Sequence, residues 1–526
     1  LFRSLSGLIA SRVAAAVARD LRRDVFAKVM SFSPAEVNRF SQSSLITRCT
    51  NDVQQIQNMI VIMLRMVMFA PVMGVVAVVQ VMTMGGGLAW IVGAALLAVL
   101  GVVSVLFSLT MPRFKAMQSL VDRVNLVTRE MLDGLMTIRA FGRQDHELGR
   151  FDDASGELRD AQLFVNRAMT LMMPIMMLVM NMATVAIVWF GSHGVAAGAM
   201  RAGDMMAFIS YAMMIVMSFL VVSMVAVILP RAEVSVGRVQ EVLAVEPAVR
   251  DPEHPVAPAA DAPRGRLVFD HVGFRYPDAE GDVVSDVSFS TAPGKITAIV
   301  GSTGSGKSTL VQLAPRLYDP TSGTVTLDGV DARRMSLADL RSRVGYVPQQ
   351  GFLFSGSIRS NVAFGTDAAG TDAPGAAGEK GAAGQKDLLR AVEVAQASEL
   401  VSQKDGGLDA PIAQGGTNVS GGQRQRLAIA RALAMRPEVL VLDDSFSALD
   451  YATDARLRQA LARECADTAV LVVAQRVATV MGADQIVVLD EGRVVGQGTH
   501  EELLRSCPEY LEIAKSQLSA SELGLK

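Results

Sequence analysis

The chain has few cysteines and almost no net charge for its length. Its 526 residues contain only Cys49, Cys465 and Cys507, which lie far apart and lack metal-ligand spacing. Neither a disulfide framework nor a zinc site is indicated, and this scarcity fits a reducing cytosol. The formal net charge of −3 at pH 7 produces no overall basic field. We therefore expect no nucleic-acid partner.

Charged residues are absent from four long stretches in the first half of the chain. The stretches without Asp, Glu, Lys or Arg are residues 66–84, 88–111, 168–192 and 205–229. Each is close to or above the roughly 20 apolar residues that cross about 30 Å of hydrocarbon. A buried helix of a soluble protein would account for one such stretch. Four of them favour membrane spans, with a lipid bilayer as partner.

Basic residues are distributed unequally between the two ends of these spans. The long polar stretch between the second and third spans, residues 112–167, carries nine lysines and arginines, whereas the opposite connections are residues 85–87 and a short loop with Arg201. Basic connections remain in the cytosol, so this stretch is predicted to be cytoplasmic, and four crossings return the second half of the chain to the same side. Its length and helical pattern predict membrane helices that extend into the cytosol. The expected location is a bacterial inner membrane.

The beginning of the chain shows no signal-peptide pattern. Residues 1–19 are apolar but interrupted by Arg3 and Arg12. This pattern predicts the cytoplasmic end of a span whose beginning is absent. We therefore expect the sequence to be truncated.

A glycine loop near the middle of the chain predicts a site for a nucleoside triphosphate. An apolar segment, residues 295–300, runs into Gly301, Ser302, Thr303, Gly304, Ser305, Gly306, Lys307, Ser308 and Thr309. The spacing predicts a buried strand, a loop whose backbone N–H groups converge on phosphate oxygens, and a helix start. Lys307 would reach the β- and γ-phosphates and the Ser308 hydroxyl would bind Mg²⁺. An ordinary glycine turn rarely has this spacing.

These signals divide the chain into an α-helical transmembrane bundle with cytoplasmic extensions and an α/β P-loop nucleotide-binding domain. The predicted bounds are 1–230 for the membrane domain, 231–265 for a linker and 266–526 for the nucleotide domain. The linker opens with a helix leaving the membrane, up to residue 245, and continues as a segment rich in Pro and Ala. Residues 366–386, rich in Gly and Ala, are predicted to be a mobile surface insertion.

Several further motifs identify a family. They are, in order, 272–277 (VGFRYP), the glycine loop, 347–349 (VPQ), 419–423 (VSGGQ), 439–443 (VLVLD) and 447–450 (SALD). With 51–53 (NDV) and 130–141 in the membrane half, the chain resembles ATP-binding cassette transporters of exporter type over nearly its whole length. The resemblance implies ATP and Mg²⁺ as ligands. It also implies six spans per half-transporter, so that the first and most of the second are missing here.

The resemblance also implies roles for individual residues. Tyr276 is expected to stack on adenine, with a core tyrosine as the alternative. Asp443 is expected to hold Mg²⁺ through water, and Gln349 to contact the metal. The signature loop, Ser420, Gly421, Gly422 and Gln423, would act in trans on ATP held by another subunit, next to the D-loop residue Asp450. A chain with one loop of each kind must therefore dimerise.

Two positions depart from the family pattern. Asp444 replaces the glutamate that follows Asp443 in fully active members, and Gln475 replaces the switch histidine. A base displaced by about 1 Å can lose on the order of 100-fold in rate, and Gln cannot carry the positive charge of histidine. The pair resembles the degenerate subunit of heterodimeric exporters. A homodimer with slow turnover and a regulatory ATP-binding subunit are the alternatives.

The cargo is constrained only weakly by the sequence. Methionines are abundant in the last two spans, 168–192 and 205–229. They suit a surface that accepts varied apolar shapes, although lipid-facing packing explains them equally simply. Because the four spans carry no charge, we expect a small amphipathic or lipid-like substrate.

Overall fold

A computed structural model describes residues 2–67, 69–84, 87–259, 264–277, 279–366 and 379–519. Its contacts divide the chain into two compact units. The first comprises Leu1–Lys28 with Ser43–Ala244, and the second comprises Val29–Gln42 with Val245–Lys526. The short segment 29–42, which the sequence places within the membrane half, therefore packs with the second unit.

The first unit is helical. Its helices are α1 (Phe2–Met30), α3 (Gln42–Thr47), α4 (Val53–Ile62), α5 (Phe69–Thr83), α6 (Ala89–Asp133), α7 (Leu135–Ala140), α8 (Gln144–Ala196) and α9 (Ala202–Ala244). Two π-helical turns, Arg48–Asp52 and Met63–Val67, lie between α3 and α5. The candidate spans are Gln42–Thr83, Ala89–Asp133, Gln144–Ala196 and Ala202–Phe219. Each of them overlaps one of the four uncharged stretches, and α6 and α8 extend far beyond those stretches.

Apolar side chains hold the helices of this unit together. Ile187 of α8 and Phe208 of α9 are fully buried in one cluster, and Met176 packs with Val99 and Val216 in another. The methionines therefore have different environments, since Met176 is buried in the bundle whereas others on α8 are exposed.

A polar contact joins the ends of two helices in the same unit. The Ser235 hydroxyl of α9 donates to Oδ1 of buried Asp52 at 2.9 Å. Nearby, the Arg48 guanidinium donates to Glu241 at 2.7 Å. Asp52 belongs to the motif at 51–53 that the sequence singled out, and its carboxylate joins that motif to α9.

In the second unit, the short helix α2 (Pro34–Phe40) begins at a capping box formed by Ser33 and Glu36. The buried Glu36 carboxylate accepts hydrogen bonds from the Ser33 backbone N–H at 2.7 Å and the Ala248 backbone N–H at 3.0 Å. Ala35 packs against an apolar cluster of the same unit. These contacts explain why the helix belongs with residues after 245.

Strands and helices alternate through the rest of the second unit. The strands are β1 (Leu267–Phe274), β2 (Val284–Ser290), β3 (Ile296–Gly301), β4 (Ser322–Leu327), β5 (Val330–Asp331), β6 (Val344–Val347), β7 (Gly356–Ser357), β8 (Pro411–Ile412), β9 (Val439–Asp443), β10 (Ala469–Val473), β11 (Gln485–Asp490) and β12 (Arg493–Gly498). The helices are α10 (Lys307–Gln312), α11 (Leu337–Arg343), α12 (Ile358–Val362), α13 (Glu379–Val394), α14 (Ser398–Gln403), α15 (Gly421–Ala434), α16 (Tyr451–Glu464), α17 (Val477–Val480), α18 (His500–Ser506) and α19 (Pro508–Gln517).

The main sheet is mostly parallel. Its strand order is β12-β11-β3-β10-β9-β6, with only β12 antiparallel to its neighbour. Successive residues of a strand point to opposite faces, so Val439 and Val441 enter one apolar core while Leu440 and Leu442 enter the other. A smaller antiparallel sheet has the order β2-β1-β4-β5. The predicted P-loop α/β domain is thus confirmed.

The Gly- and Ala-rich segment 366–386 differs in part from the prediction. Residues 367–378 lie outside the described residues, as do Gly85 and Gly86 of the short membrane loop. Residues 379–386, however, form the first half of α13 rather than part of a loop. Apolar residues later in this helix, including Leu388 and Ala391, are buried. Composition alone predicts a loop here, because the burial that stabilises the helix comes from its second half.

Candidate functional site

Four parallel strands end together at one edge of the main sheet. In the register of β3, β10 and β9, Val473 pairs with both Ile299 and Asp443. On the other side of β9, Val347 of β6 pairs with Leu442. Because the carboxyl ends of parallel strands meet at the same edge, the loops that follow these strands converge there. Every catalytic or metal-binding position predicted from the sequence lies in or beside one of them.

The loop after β3 has the backbone of a phosphate cradle. Gly304 and Gly306 have φ values of 85° and 92°, which L side chains adopt only with strain. A Cβ atom at Gly306 would also lie 2.8 Å from the Val283 carbonyl oxygen. The loop therefore requires glycine, and α10 begins directly after it at Lys307.

Lys307 is buried with its ammonium group inside the loop. Its Nζ donates to the carbonyl oxygens of Gly301 at 2.9 Å and Ser302 at 2.6 Å, and to the Ser305 hydroxyl at 3.3 Å. Burial lowers the pKa of Lys307, against the opposing attraction of Asp444 and the adjacent Asp443. A cation held in a ring of loop oxygens is positioned to meet an anion that enters the loop.

Asp443 lies at the end of β9, and each of its carboxylate oxygens accepts a hydrogen bond from a hydroxyl group. The Ser308 hydroxyl donates to Oδ1 at 2.8 Å, and the Tyr346 hydroxyl donates to Oδ2 at 3.3 Å. Burial raises the pKa of Asp443 above its ordinary value. Hydroxyl and carboxylate oxygens are the ligands that Mg²⁺ prefers, so Ser308 and Asp443 fit this ion. Tyr346 was not predicted, since a tyrosine within an apolar strand gives no functional signal.

The two unusual residues of the sequence contact each other. Asp444 has a left-handed backbone, with a φ of 47°, and is buried. Its Oδ2 accepts one hydrogen bond from the Gln475 side-chain amide at 2.9 Å and another from Gln349 at 3.2 Å. Burial raises the pKa of Asp444, partly offset by the Gln349 hydrogen bond. The structure thus joins three residues from three separate loops in one carboxylate–amide cluster.

A residue near the end of the chain holds the loop that carries Gln475. The side-chain amide of Gln517, the last residue of α19, donates to the Gln475 carbonyl oxygen at 2.8 Å. Its side-chain oxygen accepts from the Val477 backbone N–H, also at 2.8 Å. No sequence motif indicates these two hydrogen bonds, because Gln517 belongs to no motif and its partners are backbone atoms.

Tyr276 has contacts that fit both roles considered for it, adenine stacking and core packing. Its hydroxyl lies 3.0 Å from the Thr309 hydroxyl, which places the ring beside α10 and the glycine loop. The ring also packs edge-on against Phe274 and Tyr318, with centroids 4.9 Å and 5.5 Å away. It is therefore a half-buried member of the local core at the margin of the cradle.

The signature residues form the start of α15. Ser420 is the N-cap, its hydroxyl accepts from the Gln423 backbone N–H, and the Gln423 side chain accepts from the Ser420 backbone N–H at 2.9 Å. Asp450 similarly caps α16 by accepting from the Thr453 backbone N–H at 2.9 Å. In the described parts of the chain, no hydrogen bond joins residues 420–423 to the glycine loop. The hydroxyl proton of Ser420 is not used by the cap.

A helical unit with candidate membrane spans and a P-loop domain with this strand-edge site together define an ATP-driven membrane transporter. Residues 1–219 match the family described as "ABC transporter transmembrane region", and residues 284–447 match the family "ABC transporter". An uncharacterized ABC transporter ATP-binding protein of Mycobacterium tuberculosis is 40% identical, over 98% of this chain and 86% of its own length. The chain belongs to the ABC transporter family.

Two further relatives describe the type of transporter. An ATP-dependent lipid A-core flippase of Pseudomonas fluorescens is 30% identical over 98% of this chain and 83% of the flippase. The solved structure of a bacterial Atm1-family ABC exporter with ATP bound has a TM-score of 0.78 and 26% identity, and the match covers 99% of this chain and 88% of that one. The fold is therefore that of an ABC exporter, whose nucleotide domain is an ATPase coupled to transport.

Proposed function

We propose that this chain is one half of a heterodimeric exporter and that its own ATP site hydrolyses slowly. The observation that supports this is the cluster in which Gln349 and Gln475 both donate to the Asp444 carboxylate. An aspartate is one methylene shorter than glutamate, and a misplaced base loses much of its effect. Gln475 can donate a hydrogen bond to a phosphate but supplies no positive charge.

ATP would bind in the cradle formed by residues 301–309. Its backbone N–H groups and Lys307 would hold the phosphates, and Tyr276 would contact the adenine from the margin. Ser308, Asp443 and Gln349 would hold Mg²⁺, which offsets negative charge on the phosphates when it is bound. Support for this assignment comes from two candidate Mg²⁺ ligands that lie side by side, since the Ser308 hydroxyl donates to the Asp443 carboxylate at 2.8 Å.

The signature loop would complete the site of the partner. Ser420 retains its hydroxyl proton after capping α15, and the backbone N–H groups of Gly421 and Gly422 lie in the first turn of that helix, where they have no acceptor within it. These are the donors that a γ-phosphate on another polypeptide requires. A nearly intact signature loop, together with an impaired Asp444, would give one slow site and one fast site in the pair.

The cargo of this exporter is proposed to be a small amphipathic or lipid-like molecule. The lipid A-core flippase relative supports this class by name, and the spans offer an apolar environment. If the basic stretch 112–167 lies on the cytoplasmic side of a bacterial inner membrane, the ATP-binding domain lies in the cytoplasm as well. The partner is a second ABC half-transporter that carries glutamate and histidine at the two altered positions.

The asymmetry of the two sites is tested by Asp444→Asn. In the purified assembly, this change is expected to alter steady-state ATPase activity less than about twofold, whereas substituting the partner's catalytic glutamate removes most of it. Asp467→Asn, on an exposed carboxylate away from the site, is the matched control. Equal, large losses from the two site variants would contradict the proposal and favour a homodimer. Full activity after substitution of the partner's glutamate would also contradict the proposal, because the fast site would then not depend on that residue.

Gln517→Leu tests whether the two hydrogen bonds made by Gln517 position the loop that carries Gln475. The change removes both hydrogen bonds to the loop, and release of a fluorescent ATP analogue from this chain's site is expected to become about three- to tenfold faster. Ser516→Ala removes only a local bond to the Ile513 carbonyl and serves as the control. Gln517→Glu keeps the acceptor for Val477 and should be intermediate. Equal release rates in all three variants would show that the hydrogen bonds made by Gln517 do not affect nucleotide release.

A further inference from the structure

The first unit contains a large cavity between its helices. Its volume is about 850 Å³ and its walls come from α1, the π-helical turn 63–67, α5 and α9. Arg65 lines it from the π-helical turn, and Phe69 and Met73, four residues apart on one face of α5, line it from that helix. Met214 and Met217 line it from α9. This size suits a drug-sized or lipid-sized ligand.

Arg65 places a positive charge in this mostly apolar wall. It lies within the candidate span Gln42–Thr83, directly before the uncharged stretch 66–84, and its side chain is exposed. Among the described residues it has no ion pair and no hydrogen-bond partner. An arginine is always charged, and near the end of a span its long side chain keeps the guanidinium at the level of the lipid head groups. Within the described ranges, the cavity therefore has a cation without a counter-ion at the end of a mostly apolar surface.

We infer that this cavity binds the cargo by its anionic head, with Arg65 as the counter-ion. The ligand would be a single amphiphile whose phosphate, sulfate or carboxylate meets Arg65 while its tail contacts Phe69, Met73 and Met217. Arginine pairs well with such oxyanions, and methionine adapts to tails of different shape. This inference rests on the proposed export function and specifies its substrate class.

The position of Arg65 agrees with entry from the cytoplasmic leaflet. The uncharged stretch 66–84 has 19 residues, which would extend about 28 Å as a helix at 1.5 Å per residue, close to the thickness of the hydrocarbon. Arg65 therefore lies at one boundary of the hydrocarbon and the apolar walls continue inward from it. A head group at the boundary and a tail directed into the membrane is the orientation that an amphiphile has in the bilayer.

Direct binding tests the inference without ATP turnover. The full chain, together with any subunit that copurifies, is placed in phosphatidylcholine nanodiscs and titrated with radiolabelled oleoyl lysophosphatidic acid or oleoyl lysophosphatidylcholine. The native protein should prefer the anionic probe. Arg65→Gln should weaken binding of that probe about tenfold and leave the zwitterionic probe unchanged, and Arg65→Lys should retain most of the preference.

Arg129→Gln, an exposed arginine on α6 outside the cavity, is the matched control and should behave like the native protein. Unchanged binding of the zwitterionic probe by Arg65→Gln shows that the variant is folded. Equal binding of the two probes by the native protein, or equal effects of Arg65→Gln and Arg129→Gln, would overturn the inference and leave Arg65 as a contact for bilayer phosphates. Inorganic phosphate at millimolar concentration should not compete, since the tail supplies much of the affinity; competition would also count against an amphiphile.

Failure of this inference can be told apart from failure of the proposed function. Selective probe binding without ATP-driven transport would keep the Arg65 site and contradict export. Transport and ATPase activity with no head-group preference would keep export and contradict the Arg65 site.

Discussion

Replacing Gly421 by aspartate is expected to abolish ATP hydrolysis and transport by the assembled exporter while this chain continues to bind ATP. If the signature loop faces a γ-phosphate on the partner, the new carboxylate opposes it. Two unit charges 4 Å apart at an effective dielectric of 20 repel by roughly 4 kcal/mol, which corresponds to about 1,000-fold. The measurements are ATPase activity of the copurified pair and photolabelling of each subunit with an ATP analogue.

The structure makes this substitution a clean test. A Cβ atom at Gly421 would meet no other atom within 4 Å, whereas one at Gly422 would lie 3.0 Å from the Ala448 carbonyl oxygen. Position 421 is also the first residue of α15, where an acidic side chain favours the helix. The fold should therefore tolerate the change. Gly421→Asn, equal in size but neutral, should lose much less activity. Normal turnover of the aspartate variant would show that this loop does not complete the active site.

Replacing Lys307 by alanine is expected to weaken ATP binding to this chain by about 10- to 100-fold. The ammonium group would leave the ring formed by the Gly301 and Ser302 carbonyl oxygens, and the charge-assisted contact with the phosphates would be lost. Such contacts contribute roughly 1.5–3 kcal/mol each. Photolabelling of this subunit by an ATP analogue over a concentration series measures the change.

Lys295→Ala is the matched control for this experiment. Lys295 lies just before the same strand, β3, but forms an exposed ion pair with Asp484 at 2.7 Å. Exposed pairs contribute little, so its removal should leave ATP binding unchanged. Undiminished labelling of the Lys307 variant would remove this residue from the nucleotide site.

Much of the fold could be predicted because its signals are local. The four uncharged stretches are predicted to be spans by composition alone, and each overlaps a candidate span of the structure. The strand before Gly301 and the helix after Gly306 follow from an apolar run and a glycine spacing. Where the sequence reading failed, as at residues 379–386, the missing information was the burial of the second half of α13 against the core.

The site was predicted in part. Asp444, Gln475 and Gln349 were predicted by resemblance, and the structure brings them together, with both glutamine amides donating to the Asp444 carboxylate. Gln517 was missed because its partners are backbone atoms of residues 475 and 477, which leave no pattern in the sequence. Arg65 was not predicted because it directly precedes an uncharged stretch. In the sequence, a charge at that position only marks where the apolar stretch begins.

The sequence by itself determined the class of protein, its spans and the residue types of its ATP site, since each depends on neighbours within a few residues. Only the tertiary structure decided which of these residues meet. The order β11-β3-β10-β9-β6 brings together loops separated by more than a hundred residues, and the packing of α5 against α9 turns two separate helix faces into one cavity with Arg65 in its wall. Strand order and helix pairing arise from contacts between distant segments, and no local pattern encodes them.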